Sequence, residues 1–75
     1  MINQDNTVEI FKTNVGEAEQ AERLLSALRQ YYPGLKINLD LEDCDKILRL
    51  EGSNIIPSDV VSSVLVAGFH CEPIE

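Results

Sequence analysis

The stretch from Asn14 to Gly34 constrains the fold most strongly, because its pattern indicates a loop, one amphipathic helix and a stop. Its apolar residues recur at steps of three and four, which predicts one buried helix face: Ala21, Leu24, Leu25, Leu28 and Tyr31 or Tyr32. We expect Asn14 to cap this helix, with Glu17 reaching back to the N–H of the cap. Pro33 cannot continue a helix, and Gly34 can adopt a left-handed turn that ends it.

The segments on either side of this helix have the pattern of strands. Residues 7–13 are rich in β-branched and aromatic side chains, but the pattern leaves open whether Val8 and Ile10 or Phe11 and Thr13 face the core. Residues 35–41 alternate between apolar and polar, which is typical of a strand with one solvated face. Residues 46–51 return as their hairpin partner, with Ile47 or its neighbours Leu48 and Leu50 against the core.

The last third of the chain predicts a second helix and a short strand. Pro57 suits the first turn of a helix whose apolar positions are Val60, Val61, Val64 and Leu65, although so many β-branched residues also favour a strand. Gly68 fits the left-handed position that closes a helix. Residues 69–74 are long enough for one more strand, which Pro73 restricts to a sheet edge.

This order of elements predicts an α+β fold, a ferredoxin-like βαββαβ sandwich with a four-stranded antiparallel sheet and two helices on one face. The expected strand order in the sheet is four-one-three-two. We expect residues 1–6 to form a flexible N-terminal tail and residues 7–75 to form a single domain. In this topology the loop after the first strand, the hairpin turn and the loop before the last strand lie at the same end of the sheet.

Composition narrows the range of partners. The 75 residues include 13 acidic and 6 basic side chains, a formal charge of −7. This charge disfavours nucleic acid and membrane surfaces, which are bound chiefly through lysine and arginine. It favours solubility and, for a partner, another protein with a basic surface. With no leader and no apolar run of about 20 residues, the expected location is cytoplasmic.

Several segments in order resemble a known family. The first helix and its ending, Tyr32-Pro33-Gly34-Leu35, the alternating strand with Ile37, Leu39 and Leu41, the strand with Ile47 and Leu50, and the close Ala67-Gly68-Phe69-His70-Cys71 carry this resemblance. Over Val8 to Ile74 the chain resembles the heavy-metal-associated domain, the fold of small copper chaperones and of the N-terminal modules of copper- and zinc-transporting ATPases. The resemblance implies the ferredoxin-like fold.

The family binds its metal in a Met-x-Cys-x-x-Cys loop between the first strand and the first helix, where two thiolates hold a soft cation. The cysteine positions fall here on Ala18 and Ala21, or one residue earlier on Glu17 and Gln20. Neither register supplies a thiolate. We therefore expect no cofactor, with copper or zinc expected only if the family function survives without the two cysteines. Four other residues are candidate metal ligands: Glu17, Gln20, His70 and Cys44.

The chemically active side chains each have a simple structural interpretation. By the resemblance, Cys71 takes the place of the family's small inward residue and is expected to be a buried thiol. Cys44, between two aspartates at the hairpin tip, is expected to be exposed and free, and His70 is expected at the surface or rim. The acidic hairpin residues Asp40, Glu42, Asp43 and Asp45 form a solvated end, with a spacing that does not match a calcium-binding EF-hand loop.

These features predict a small, non-catalytic binding or protein-interaction module. One histidine, no glycine-rich phosphate loop and no Ser/His/Asp arrangement argue against an enzyme. The expected partner surface consists of Asn14, Gly16, Glu17, Gln20, Phe69 and His70, because family members present that end to partners. The alternatives are a heavy-metal-binding protein with a non-thiolate site, which a dimer could share, and an ACT-type regulatory domain that binds small molecules. The chain is expected to be a monomer or a weak homodimer.

Overall fold

The structure is a computed structural model that describes residues 6–42 and 44–74. Its elements in chain order are β1 (Thr7–Thr13), α1 (Ala18–Tyr31), β2 (Lys36–Asp40), β3 (Ile47–Gly52), α2 (Pro57–Val66) and β4 (Cys71–Pro73). The predicted order of strands and helices is confirmed. The predicted flexible tail lies outside the described residues except for Asn6, and so does Asp43 of the acidic hairpin group.

The four strands form one antiparallel sheet in the order β2-β3-β1-β4, as predicted. β1 pairs with β3 from Thr7–Gly52 to Lys12–Ile47, and with β4 from Phe11–Pro73 to Thr13–Cys71. β2 pairs with the other side of β3. The α+β architecture is consistent with a ferredoxin-like βαββαβ arrangement, and β1 and β3 are its two interior strands.

One face of the sheet packs against both helices. The largest fully buried side chains come from β1, β3, both helices and the loop after β1: Phe11, Val15, Leu24, Leu28, Leu48, Leu50, Val60 and Val64. Phe11 pairs with Leu48, so the odd-numbered residues of β1 point to the core and Ile10 lies on the opposite, open face. The same pairing places Leu48 and Leu50 in the core and Ile47 on the open face.

Helix α1 begins later and ends differently from the prediction. Its N-cap residue is Glu17 rather than Asn14, and no side-chain oxygen caps the first turn. Instead Gln20 reaches back, and its Oε1 accepts a hydrogen bond of 3.0 Å from the Gly16 N–H. The expectation of a left-handed Gly34 was also wrong, because its backbone is not in the positive-φ region. Pro33 follows directly after the C-cap residue Tyr32, so proline alone accounts for the stop.

Helix α2 forms although its β-branched residues favour a strand. Val60 and Val64 are one helical turn apart and both are fully buried, so packing outweighs local propensity here. The helix closes with a Schellman motif, in which the Phe69 N–H donates to the Val64 carbonyl at 3.1 Å and the Gly68 N–H donates to the Leu65 carbonyl at 2.9 Å. Gly68 has φ = 98°, which confirms its predicted left-handed position.

We expect Gly68→Ala to lower the free energy of unfolding by about 1–2 kcal/mol, because a Cβ is disfavoured in the left-handed region. No atom lies within 4 Å of the Cβ position, so the loss is conformational rather than steric. Gly34→Ala is the matched control: its Cβ also meets open space and its φ is not positive, so it should be neutral or stabilise by about 0.4–1 kcal/mol. Urea unfolding measures both variants, and equal losses would contradict this role of Gly68.

Candidate functional site

Three connections meet at one end of the sheet. β1 and β2 finish there and β3 and β4 begin there, because Asp40 and Lys12 both pair with Ile47, and Thr13 pairs with Cys71. We call this region the loop end. It consists of residues 14–17 after β1, the described hairpin residues 41–42 and 44–46, and residues 67–70 before β4. The prediction that these connections share one end is confirmed.

Thr13 joins β1 to the hairpin. Its N–H is shared between the carbonyls of Asp45 at 3.3 Å and Lys46 at 3.1 Å. Its hydroxyl donates to the same Lys46 carbonyl at 2.8 Å and accepts from the Val15 N–H at 3.2 Å. Lys46 itself has a positive φ of 51°, and its Nζ donates to the Leu41 carbonyl at 3.0 Å across the turn. The hairpin is therefore bonded both to the end of β1 and across its own turn.

Asn14 joins the first loop to the last one. Its backbone N–H donates to the His70 carbonyl at 3.2 Å, and its side-chain Oδ1 accepts from the His70 N–H at 2.9 Å. These two hydrogen bonds continue the contact between the β1 and β4 segments by one residue past the Thr13–Cys71 pair. The arrangement explains why Asn14 does not cap α1, since its side-chain oxygen already has a partner in the neighbouring loop.

A depression at the loop end contains most of the chemically active side chains. Its lining consists of Lys12, Thr13, Asn14, Cys44, Asp45, His70, Cys71 and Glu72. The hairpin tip with Cys44 and the loop with His70 border the depression from the two sides of β1. Two of the predicted candidate ligands, Cys44 and His70, are thus brought to one surface and are both exposed.

The other two candidate ligands lie at the start of α1. Glu17 is exposed, whereas Gln20 is half-buried and its Oε1 is bonded to Gly16. In the alternative register of the family motif, Ala18 is exposed and Ala21 is 6% exposed within the core. Within residues 6–42 and 44–74, no three His, Cys, Asp or Glu side chains are grouped to hold a metal ion.

The two cysteines are free thiols in different surroundings. Cys44 is exposed, as predicted, whereas Cys71, which was predicted to be buried, is half-buried on the core side of β4. Burial raises the pKa of the Cys71 thiol from its ordinary 9.0 to about 11. Because the thiolate is the form that binds metals and reacts with electrophiles, Cys71 is a poor ligand and a poor nucleophile at neutral pH.

Phe69 requires a correction to the predicted partner surface. It is 6% exposed and belongs to the core, and the guanidinium carbon of Arg23 lies 5.8 Å from its ring centroid. The Schellman motif turns its side chain inward, where it accompanies Val64. Asn14, Gly16, Glu17 and His70 are exposed, so these members of the predicted surface are accessible.

Sequence reasoning missed the residues that organise this end. Thr13 and Lys46 were assigned only to strands, although Thr13 makes four of the hydrogen-bond contacts that fix the loops. Lys12 and Glu72 line the depression because they are direct neighbours on β1 and β4. The register between these two strands was needed to find them, and the pattern of each strand alone does not contain it.

No protein-family model, curated protein or solved structure matches the chain. None of the helices in the described ranges is long and apolar enough to cross a membrane.

We expect Asn14→Ala to lower the free energy of unfolding by about 0.5–1.5 kcal/mol, because the His70 N–H loses its acceptor. Asn14→Asp keeps a side-chain oxygen in the same place and is the matched control, with a smaller loss. Hydrogen exchange at the His70 amide should accelerate in the alanine variant and not in the aspartate variant. Unchanged exchange in both variants would contradict the contact between the two loops.

The raised pKa of Cys71 predicts slow alkylation. In a Cys44→Ser variant, iodoacetamide should modify Cys71 about 100-fold more slowly at pH 8 than in the urea-unfolded chain, because two pKa units separate the two states. Between about pH 9 and pH 11 the Cys71 thiol stays protonated in the folded chain but is ionised in the unfolded chain. The stabilisation from this thiol is therefore complete below about pH 9 and is lost as the pH rises through about 11. Equal rates in the folded and unfolded chains would contradict the burial of this thiol.

Proposed function

We propose that this chain is a small, non-catalytic binding module of the heavy-metal-associated type that lacks the metal site of that family. Its partner is another protein with a basic segment, and the binding surface is the loop end. The observation that carries the proposal is an exposed loop end with acidic side chains around it, whose loops are held by hydrogen bonds and which, within the described residues, groups no three His, Cys, Asp or Glu side chains.

The resemblance supports the first part of this proposal. The strand order and the position of the loop between β1 and α1 agree with the fold that the resemblance implies. At the two positions of the family's thiolates the chain carries either Glu17 and Gln20 or Ala18 and Ala21. Glutamate and glutamine offer hard oxygens and alanine offers no donor, so soft cations such as Cu(I) lose their ligands.

The charge of the loop end supports a basic partner. Exposed acidic side chains from the helix start and the hairpin surround it: Glu17, Glu19, Glu42 and Asp45. Lysine and arginine side chains approaching this end are attracted by a chain that carries −7 overall. Because Thr13 and Asn14 already fix the loops, binding does not have to order them, which lowers the entropic cost of association.

Two features of the described residues support a non-catalytic role. The core contains no buried polar or charged side chain. The one resolved pKa shift belongs to Cys71 and moves its thiol away from the reactive form. Catalytic acids, bases and nucleophiles generally need a pKa shifted toward the working pH.

A cationic probe peptide tests this function. We expect an oligolysine peptide to bind the protein saturably, with 15N–1H shifts concentrated at the loop end and with affinity that falls as salt rises. The variant Glu17→Gln/Glu19→Gln removes two charges at this end and should weaken binding several-fold. The control variant Glu51→Gln/Asp59→Asn removes two charges at the opposite end, where β3 finishes and α2 begins, and should change binding little.

The comparison between the two variants separates a site from general attraction. Equal weakening in both would mean that the peptide responds only to net charge, and the proposed surface would be wrong. Shifts spread over the whole chain, or no binding at low salt, would contradict the proposal as well. An oligoglutamate peptide of the same length is the negative control.

A further inference from the structure

The face of the sheet that the helices leave open has an apolar middle. Ile10 lies at its centre, opposite Arg49 of β3. On the other side of β1, Ile74, which directly follows β4, donates its N–H to the Ile10 carbonyl. Ile47 lies diagonally from Ile10, opposite Lys12. Val8 and Ile74 are 49% and 41% exposed at the ends of this apolar group. Ile10, Ile47 and Arg49 also border a shallow depression on the same face.

Among residues 6–42 and 44–74, the charges that project from this open face cancel, whereas those elsewhere do not. Three basic and three acidic side chains project from it: Lys12, Lys36, Arg49, Asp40, Glu51 and Glu72. Two of the pairs, Lys36 with Glu51 and Lys12 with Glu72, are direct cross-strand neighbours. The other charged side chains of the described residues, three basic and seven acidic, lie away from this face.

We infer that the open face is the interface of a homodimer, in which the sheets of two copies pack face to face. Two chains of charge −7 repel each other through most orientations. The open face is the side on which this repulsion is smallest, and it brings opposite charges and apolar side chains together. Face-to-face sheet packing with interleaved side chains is a standard arrangement of β-structure. The open face shares Lys12 and Glu72 with the depression at the loop end, but this inference does not depend on the proposed function.

The charge pattern selects a second copy over other occupants. A basic protein is attracted more strongly to the acidic loop end than to a face without net charge. Nucleic acid and anionic lipid need a surplus of basic residues, which this face does not have. The face is four strands wide, with the strands about 4.8 Å apart, and along each strand it has about three outward side chains spaced about 7 Å apart. Its dimensions are therefore roughly 19 by 20 Å. This area lies below that of standard interfaces, so we expect a weak dimer.

Sedimentation equilibrium tests the inference on the full chain with both thiols reduced. We expect the apparent mass to rise from monomer to dimer as protein concentration approaches about 1 mM. Higher salt should strengthen the dimer, because it screens the repulsion between the two acidic chains. Ile10→Glu places a charge at the centre of the face and should weaken association at least 10-fold. Ile47→Glu is the second face variant, for use if the first does not fold.

The matched control is Val66→Glu, which adds the same charge at a residue that is 76% exposed on α2, away from the sheet. It should change the dimer constant less than 3-fold. A wild-type chain that stays monomeric at the highest concentration overturns the inference. Equal weakening by the face variants and the control, or a dimer that dissociates as salt rises, overturns it too. In these cases the face is a solvated surface or the contact lies elsewhere.

Discussion

The antiparallel pairing of β1 with β3 is the interaction on which the rest of the structure depends. It joins residues about 40 positions apart and makes β1 and β3 the two interior strands. Its register places Phe11 opposite Leu48 in the core, and this places Ile10 and Arg49 together on the open face. A shift of one residue would exchange the two faces, exposing Phe11 and burying charges. The same register brings the end of β1 to the hairpin, where Thr13 completes the loop end.

Most of the fold could be predicted because its signals are periodic. The alternation of β2 and the three-and-four spacing of α1 correspond directly to the observed buried faces. The failures lie where local patterns are ambiguous and partners from distant segments decide. Asn14 has the chemistry of a helix cap, but its oxygen bonds to His70, 56 residues later in the chain. The valines of α2 favour a strand locally, and only burial against the sheet makes the helix the better solution.

The candidate site was predictable in position and only partly in composition. The topology alone places three loops at one end, and the structure agrees. Phe69 was expected at the partner surface because members of the resembling family present that end to partners, yet the Schellman motif directs it into the core. The depression at the loop end combines side chains from β1, the hairpin and β4, which no local pattern connects. Burial raises the pKa of its half-buried thiol, Cys71, to about 11.

The proposal that this chain is a module of the heavy-metal-associated type without that family's metal site is tested most directly by a titration with 15N–1H detection. The reduced wild-type chain is titrated with Cu(I) and Zn(II) beside a Glu17→Cys/Gln20→Cys variant. In that variant both thiols lie on the accessible side of the first turn, whereas Ala21 in the other register is buried. The account predicts saturable Cu(I) binding by the variant and none by the wild type. Saturable shifts in the wild type at Glu17, Gln20, Cys44 or His70 would contradict it.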